Sequence, residues 1–137
     1  MAVETFPLLI LPPYGRYFEG NVEFLEVHSE DYNLGILPHH APIISTVAVS
    51  KVVIRMGGNE LKYAVGGGVL HVTKEETKLI LDSIERADEI DVQRAQQAKE
   101  RAEKRLKESA TADEIDINRA KLALLKALNR LSVSSKD

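Results

Sequence analysis

Up to about residue 85 the apolar positions come in short runs rich in Val and Ile, separated by Gly, Pro, Asn and Asp. That is the punctuation of strands joined by tight turns. Thr5 to Leu11, Val22 to His28, Ile43 to Met56, Glu60 to Val65, Val69 to Thr73 and Thr77 to Ile84 are the predicted strands. Met56-Gly57-Gly58-Asn59-Glu60 predicts a hairpin turn, since both glycines tolerate positive φ. Close spacing of short strands predicts a sandwich or a barrel. After Ala87 the apolar period lengthens from about 2 to about 3.6 residues. Val92, Ala95, Ala98, Ala102 and Leu106 share one side of a first helix, and Ile117, Ala120, Ala123, Leu124, Ala127, Leu128 and Leu131 one side of a second. The polar stretch from Glu108 to Glu114 is short enough to predict an antiparallel hairpin. The fold class is therefore α+β, divided into residues 1–86 and residues 87–137.

The two helices open with nearly the same words, Glu89-Ile90-Asp91-Val92-Gln93-Arg94-Ala95 and, 25 residues on, Glu114-Ile115-Asp116-Ile117-Asn118-Arg119-Ala120. In each, the Asp is the expected N-cap, accepting from free backbone N–H groups and complementing the helix dipole. The apolar side of the first helix is mostly Ala, and burial stabilises in proportion to apolar area. Helices of about 15 residues are marginal alone in water. The C-terminal part is thus expected to be weakly held and movable.

Arg94, Arg101 and Arg105 are spaced by seven and four residues, and Arg119, Lys126 and Arg130 repeat that spacing. At about 100° per residue each trio lies along one line beside the apolar stripe. Packed antiparallel, the helices would carry both lines on one side of the hairpin, bringing Arg94 toward Arg130 with Asp91 at the helix start. Such a groove suits a polyphosphate, because guanidinium forks match phosphate oxygens and helix N-termini attract anions. The same pattern also reads as a solvated cationic edge paired with Glu100, Glu103 and Glu108.

Composition narrows the field of functions. The 137 residues contain no Cys, which excludes disulfides and thiolate metal sites. Net charge is −3, against the excess of Lys and Arg that duplex nucleic acid favours. Aromatic residues are too few for a base-stacking platform. The longest apolar run, Leu8 to Leu11, stops at Pro12-Pro13, far short of the roughly 20 residues of a membrane span. Met1-Ala2-Val3-Glu4 lacks the basic start of a signal peptide. Gly66-Gly67-Gly68 is followed by no Gly-Lys-Ser/Thr, so a bulge or close backbone approach is expected there. Neither the four His residues nor Ser45, Ser50 and Ser83 stand in metal-ligand or nucleophile spacing, so no catalytic site is expected.

Three segments, in order along the chain, resemble the epsilon subunits of rotary F-type ATP synthases. Leu34-Gly35-Ile36-Leu37-Pro38-His39-His40-Ala41-Pro42-Ile43 is similar to their loop signature, and Gly66-Gly67-Gly68-Val69-Leu70-His71-Val72 to their Gly-rich strand pair. Ile90-Asp91-Val92-Gln93-Arg94-Ala95 resembles the Ile/Leu-Asp-x-x-Arg-Ala nucleotide motif of certain bacterial members. The resemblance implies a ten-stranded β-sandwich bound to the gamma subunit and the c-ring, then two mobile helices. These fold against the sandwich, or extend along gamma toward the alpha and beta subunits and block ATP hydrolysis. It implies ATP, with Mg²⁺ as a possible companion, as a regulatory ligand that holds the folded form, and a peripheral place on the cytoplasmic face of the bacterial plasma membrane. Carried over by position, the nucleotide site is Glu85, Ile90, Asp91, Arg94, Ala95, Arg101, Arg119, Lys126 and Arg130. Lys126 departs from the arginine of some ATP-binding relatives, keeping a charge but losing the fork. Asn33 stands where an acidic residue is common, and His39 where Gly is usual. The rival reading is a free-standing nucleotide-binding sensor.

Overall fold

The structure, a computed structural model, describes residues 3–108 and 113–134. The chain divides into two compact units, residues 1–86 and 87–137.

The first unit holds β1 (Phe6–Leu11), β2 (Phe18–Val22), β3 (Phe24–His28), β4 (Asn33–Ile36), β5 (Ile43–Met56), β6 (Asn59–Val72), β7 (Thr77–Leu81) and β8 (Ile84–Arg86). Neighbours run in the order β2-β1-β7-β6-β5-β3-β4, with β8 paired to β6. β5 and β6 are 14 residues each and pair along nearly their whole length. One end of β6, Gly68 to Val72, pairs with β7, and the other, Tyr63 to Val65, with β8. The long hairpin therefore belongs to both layers of the sandwich. Leu8, Ile10, Leu70 and Leu79 from one layer and Leu25, Ile36, Ile54 and Val65 from the other make a common core. The alternation of buried and outward positions along β1 is the period-2 signature of such a half-buried strand.

The described strands number eight, not ten, because β5 and β6 each continue unbroken through the bend. Glu60 to Val65 and Val69 to Thr73 are accordingly one strand. The bend is made by Gly66-Gly67-Gly68. Gly67 has φ 95°, and a Cβ on Gly68 would collide with the Ile80 carbonyl oxygen. Val22 to His28 splits at Glu23, whose N–H donates instead to the Arg55 carbonyl at 2.8 Å. Thr77 to Ile84 breaks at Asp82-Ser83, which faces the glycine bend through Asp82 N–H to Gly67 O at 2.9 Å and Gly66 N–H to Ser83 O at 3.0 Å. Asn33–Ile36, absent from the expected strands, is too short and Gly-interrupted to show a period. Gly57 and Gly58 turn β5 into β6 with φ 57° and 79°, the doubly positive geometry of a two-residue hairpin.

The second unit opens with a 3-10 turn, Ala87–Glu89, and continues with α1 (Val92–Lys107) and α2 (Glu114–Ser134), which pack on one another. The expected connection from Glu108 to Glu114 falls mainly on 109–112, outside the described residues.

Candidate functional site

Asp91 ends the extended segment before α1 at φ −79°, ψ 97°. Its Oδ1 accepts from Arg94 N–H at 3.1 Å, and its carbonyl accepts the first helical bond, from Ala95 N–H at 3.0 Å. One carboxylate oxygen thus satisfies a backbone donor that the helix leaves without a partner. At the far end, Lys104, Arg105 and Lys107 sit in the last turn, where cations complement the dipole.

The repeated words do not fold alike. In α2 the cap is Asp113, whose Oδ1 accepts from Asp116 N–H at 2.9 Å and whose carbonyl accepts from Ile117 N–H at 3.1 Å. Asp116, expected as the cap, lies inside the first turn instead. The reason is local: a second capping residue stands three positions earlier, and Glu114-Ile115 can continue a helix, whereas Ala87–Glu89 closes as a 3-10 turn before α1. The acidic first turn of α2, Glu114 and Asp116, still complements the dipole.

Between the helices the repeat is kept. Ala95 and Ala102 of α1 and Ala120 and Ala127 of α2 are 0%, 2%, 4% and 2% exposed, and each follows a basic residue: Arg94, Arg101, Arg119 and Lys126. Each buried alanine thus lies about 100° around the helix from a cation, so the cationic lines border the seam. Val92 and Leu128, assigned to the apolar sides, are exposed, while Leu106, Ile117, Leu124 and Leu131 are half-buried.

Among the candidate residues, Asp91, Arg94, Arg101 and Arg119 are exposed and Lys126 and Arg130 half-buried. Asp91 and Arg94 are brought together through the backbone of Arg94. Ala95 is enclosed in the seam, which makes it a packing residue, and Ile90 is also buried. Glu85 belongs to the sandwich, on β8 opposite Ala64 of β6. Among the described residues no group of three or more His, Asp or Glu is placed to hold a metal ion.

The sandwich also carries apolar side chains on its outer face. Ile44, Val69 and Ile80 point outward at 71%, 38% and 49% exposure. Val69 pairs with Ile80 and Ile80 with Leu11, so three apolar side chains form a row across β6, β7 and β1, while on β5 Val69 faces Thr46 and Ile44, two residues along, faces His71. The signal was present: Ile43-Ile44, Val69-Leu70 and Leu79-Ile80-Leu81 hold consecutive apolar residues where a strand with one wet face needs only alternate ones. Contiguous exposed apolar surface marks interaction sites. At one end of the sandwich the Leu37–Pro42 and Thr73–Glu76 loops border a cleft of about 440 Å³. His39 on its rim has φ 68°, a left-handed conformation that suits Gly.

Comparison with known proteins agrees with this two-part architecture. Residues 5–87 match the family model described as "ATP synthase, Delta/Epsilon chain, beta-sandwich domain" and residues 88–135 that described as "ATP synthase, Delta/Epsilon chain, long alpha-helix domain". ATP synthase epsilon chains of Bacillus thuringiensis (strain Al Hakam) and Bacillus cereus (strain B4264) are each 39% identical over 106 residues, covering 77% of this chain and 80% of theirs. Among solved structures, a chain of the Euglena gracilis mitochondrial ATP synthase (OSCP/F1/c-ring) aligns with TM-score 0.83 at 17% identity, covering 98% of this chain and 85% of that one. A chain of the Tetrahymena thermophila central stalk and c-ring aligns with TM-score 0.65 at 9% identity, covering 98% and 100%. With the two family models matched over residues 5–87 and 88–135 and the Bacillus relatives at this identity, the chain belongs to the epsilon subunits of F-type ATP synthases.

Proposed function

We propose that this chain is a non-catalytic subunit of the ATP synthase central stalk, docked through its sandwich and regulating ATP hydrolysis through its helices. The observation that carries the reading is the contrast in cohesion between the two units. The sandwich core is built from Leu, Ile and Val, each of which stabilises by about 1.5–3 kcal/mol on full burial. Among the described residues of the two helices the buried side chains are four alanines and Val133, with Leu106, Ile117, Leu124 and Leu131 half-buried, and each alanine contributes only about one methyl, or roughly 0.8 kcal/mol. A pair sealed this weakly separates at low cost, while the sandwich stays folded.

In this reading the strip of Ile44, Val69 and Ile80 meets gamma and the end of the sandwich meets the c-ring. The opened helices extend toward alpha and beta and impede hydrolysis. ATP binds along the basic edges, with Asp91, Arg94, Arg101, Arg119, Lys126 and Arg130 as its polar contacts and Glu85, Ile90 and Ala95 beside them. It favours the closed pair by binding it more tightly than the open one. The complex holds the chain at the cytoplasmic face of the bacterial plasma membrane. A free-standing sensor would have no use for the exposed strip, which supports the stalk reading over it.

Calorimetric titration with MgATP, run beside the Asp91→Ala/Arg94→Ala double variant, tests the ligand part. One-to-one binding lost in the variant is expected, and equal binding by both would place the nucleotide elsewhere. Removal of residues 88–137 tests the regulatory part: assembly should persist and hydrolysis rise. Failure to assemble would overturn the division of labour.

A further inference from the structure

The outer face of the β3–β4 hairpin carries a titratable cluster that the proposed function leaves unused. His28 ends β3 and pairs across the strands with Asn33, the first residue of β4. Its side chain is only about a quarter exposed, at 25%. Nδ1 lies 2.6 Å from Asn33 Oδ1 and Nε2 lies 3.2 Å from Glu26 Oε2. Both ring nitrogens therefore face oxygen atoms.

An ionised carboxylate only accepts, so the contact to Glu26 requires N–H on Nε2. The amide oxygen of Asn33 also only accepts, so its contact requires N–H on Nδ1. The cationic imidazole alone carries both. A neutral ring that keeps its proton toward Glu26 presents a bare Nδ1 to Asn33, and the bond survives only if the amide turns to offer Nδ2–H instead.

The surrounding charges come from three elements. On β3 it is Glu26 itself. β4 brings Asn33 and no charge. The pairing of β3 with β5 ends at Glu26 to Val53, two residues short of Lys51, and beyond it Ser29 Oγ lies 3.5 Å from Thr46 Oγ1. The tip that joins β3 to β4 adds Glu30 and Asp31. The tip is also fastened by other hydrogen bonds: Ser29 N–H donates to Tyr32 O at 2.7 Å, and the Tyr32 hydroxyl lies 2.7 Å from Ser45 Oγ on β5.

We infer that Glu26, His28 and Asn33 form a proton-operated clasp at the root of the Ser29–Tyr32 tip. With the cationic ring both bonds are made and the clasp is closed. With the neutral ring it is held from one side only, or re-forms with the Asn33 amide reversed. The acidic tip, Glu30-Asp31, is thereby presented on a firmer or a looser root according to pH.

The test is NMR on the full chain, following the ring ¹⁵N signals of His28 and the side-chain amide of Asn33 from pH about 5.5 to about 8.5. At the acid end both ring nitrogens should be protonated. Loss of one proton should leave it on Nε2 and move the Asn33 amide signals in the same transition. Asn33→Asp should move the midpoint up and Glu26→Gln move it down, since each changes one carboxylate in contact with the ring. The two variants act on opposite nitrogens, so a folding defect in one leaves the other to decide, with backbone amide spectra as the control. Asn33 signals that stay still while His28 titrates, or a midpoint that neither folded variant moves, would overturn the clasp.

Discussion

The backbone N–H of Arg94 donates to Asp91 Oδ1 at 3.1 Å, so the acidic residue proposed to meet the nucleotide is the cap of α1. Asp91→Ala removes the cap and the proposed contact together. Asp91→Asn separates them, because Asn caps about as well as Asp but carries no charge. Asp91→Ala should cost about 1 kcal/mol of helix stability, and Asp91→Asn much less. If the carboxylate also holds the nucleotide, Asp91→Asn should still lose about 10-fold or more in ATP affinity, the worth of a charge-assisted hydrogen bond. Thermal unfolding and calorimetry on the two variants together separate cap from contact. Unchanged affinity in Asp91→Asn would leave Asp91 as a cap alone.

The alanine seam gives a second prediction. Ala127 is 2% exposed on the α2 side of the pair. Ala127→Leu has no space to fill, and overpacking costs about 1–3 kcal/mol. In the proposed mechanism that cost falls on the closed form, so ATP affinity should drop and inhibition of hydrolysis strengthen together. Leu125→Ala, on an exposed position of the same helix, serves as the comparison and should leave both unchanged within error. A seam variant that binds ATP like the parent would show that nucleotide binding does not need the closed pair.

Much of this architecture was legible in the chain because burial writes a period into it. Ile43–Met56 was readable to the residue, since its run rich in Ile, Val and Thr and its Gly57-Gly58 turn agree. The continuity of β6 was not, because Gly66-Gly67-Gly68 looks like a break and acts as a bend that only pairing with both β5 and β7 reveals. The cap of α2 was misplaced because two capping residues, Asp113 and Asp116, compete within one turn and local sequence does not rank them. Of the candidate site, Asp91 and the basic lines follow from spacing alone. The enclosure of Ala95 did not, since which alanines meet depends on how two helices pack.

The glycine bend should be the least tolerant point of the sandwich. Gly68→Ala drives a Cβ into the backbone carbonyl of Ile80, and a backbone atom in a paired strand cannot rotate aside. A loss of about 3 kcal/mol or more is expected, at the upper end of single substitutions. Gly57→Ala meets no neighbour and bears only the left-handed conformation at φ 57°, about 1–2 kcal/mol. Denaturant unfolding of both variants checks the order, and equal losses would contradict the close approach of β6 and β7.

His39 offers a near-neutral counterpart. Its φ of 68° favours Gly by about 1 kcal/mol. Gly gives back most of that through the freedom it adds to the unfolded chain. The pairing of His39 Nε2 with Glu4 Oε2 at 3.2 Å is 82% and 75% exposed and adds little. His39→Gly should therefore change stability by no more than about 0.5 kcal/mol, read by the same denaturant titration. A loss well beyond that would mean the side chain packs on the cleft more firmly than its exposure indicates.

The strip on the sandwich face separates folding from assembly. Ile80 is 49% exposed and neighbours Val69 and Leu11 across the strands. Ile80→Glu places a carboxylate in water in the free chain, so stability should stay within about 0.5 kcal/mol, as is usual for surface positions. In a docked complex the same carboxylate would be buried in an apolar contact without a partner, costing several kcal/mol. Co-purification with gamma should therefore fail for Ile80→Glu while the isolated variant unfolds at the parent's denaturant midpoint. If gamma binds the variant as it binds the parent, the stalk contact lies off the strip, and the apolar row across β6, β7 and β1 must serve another surface.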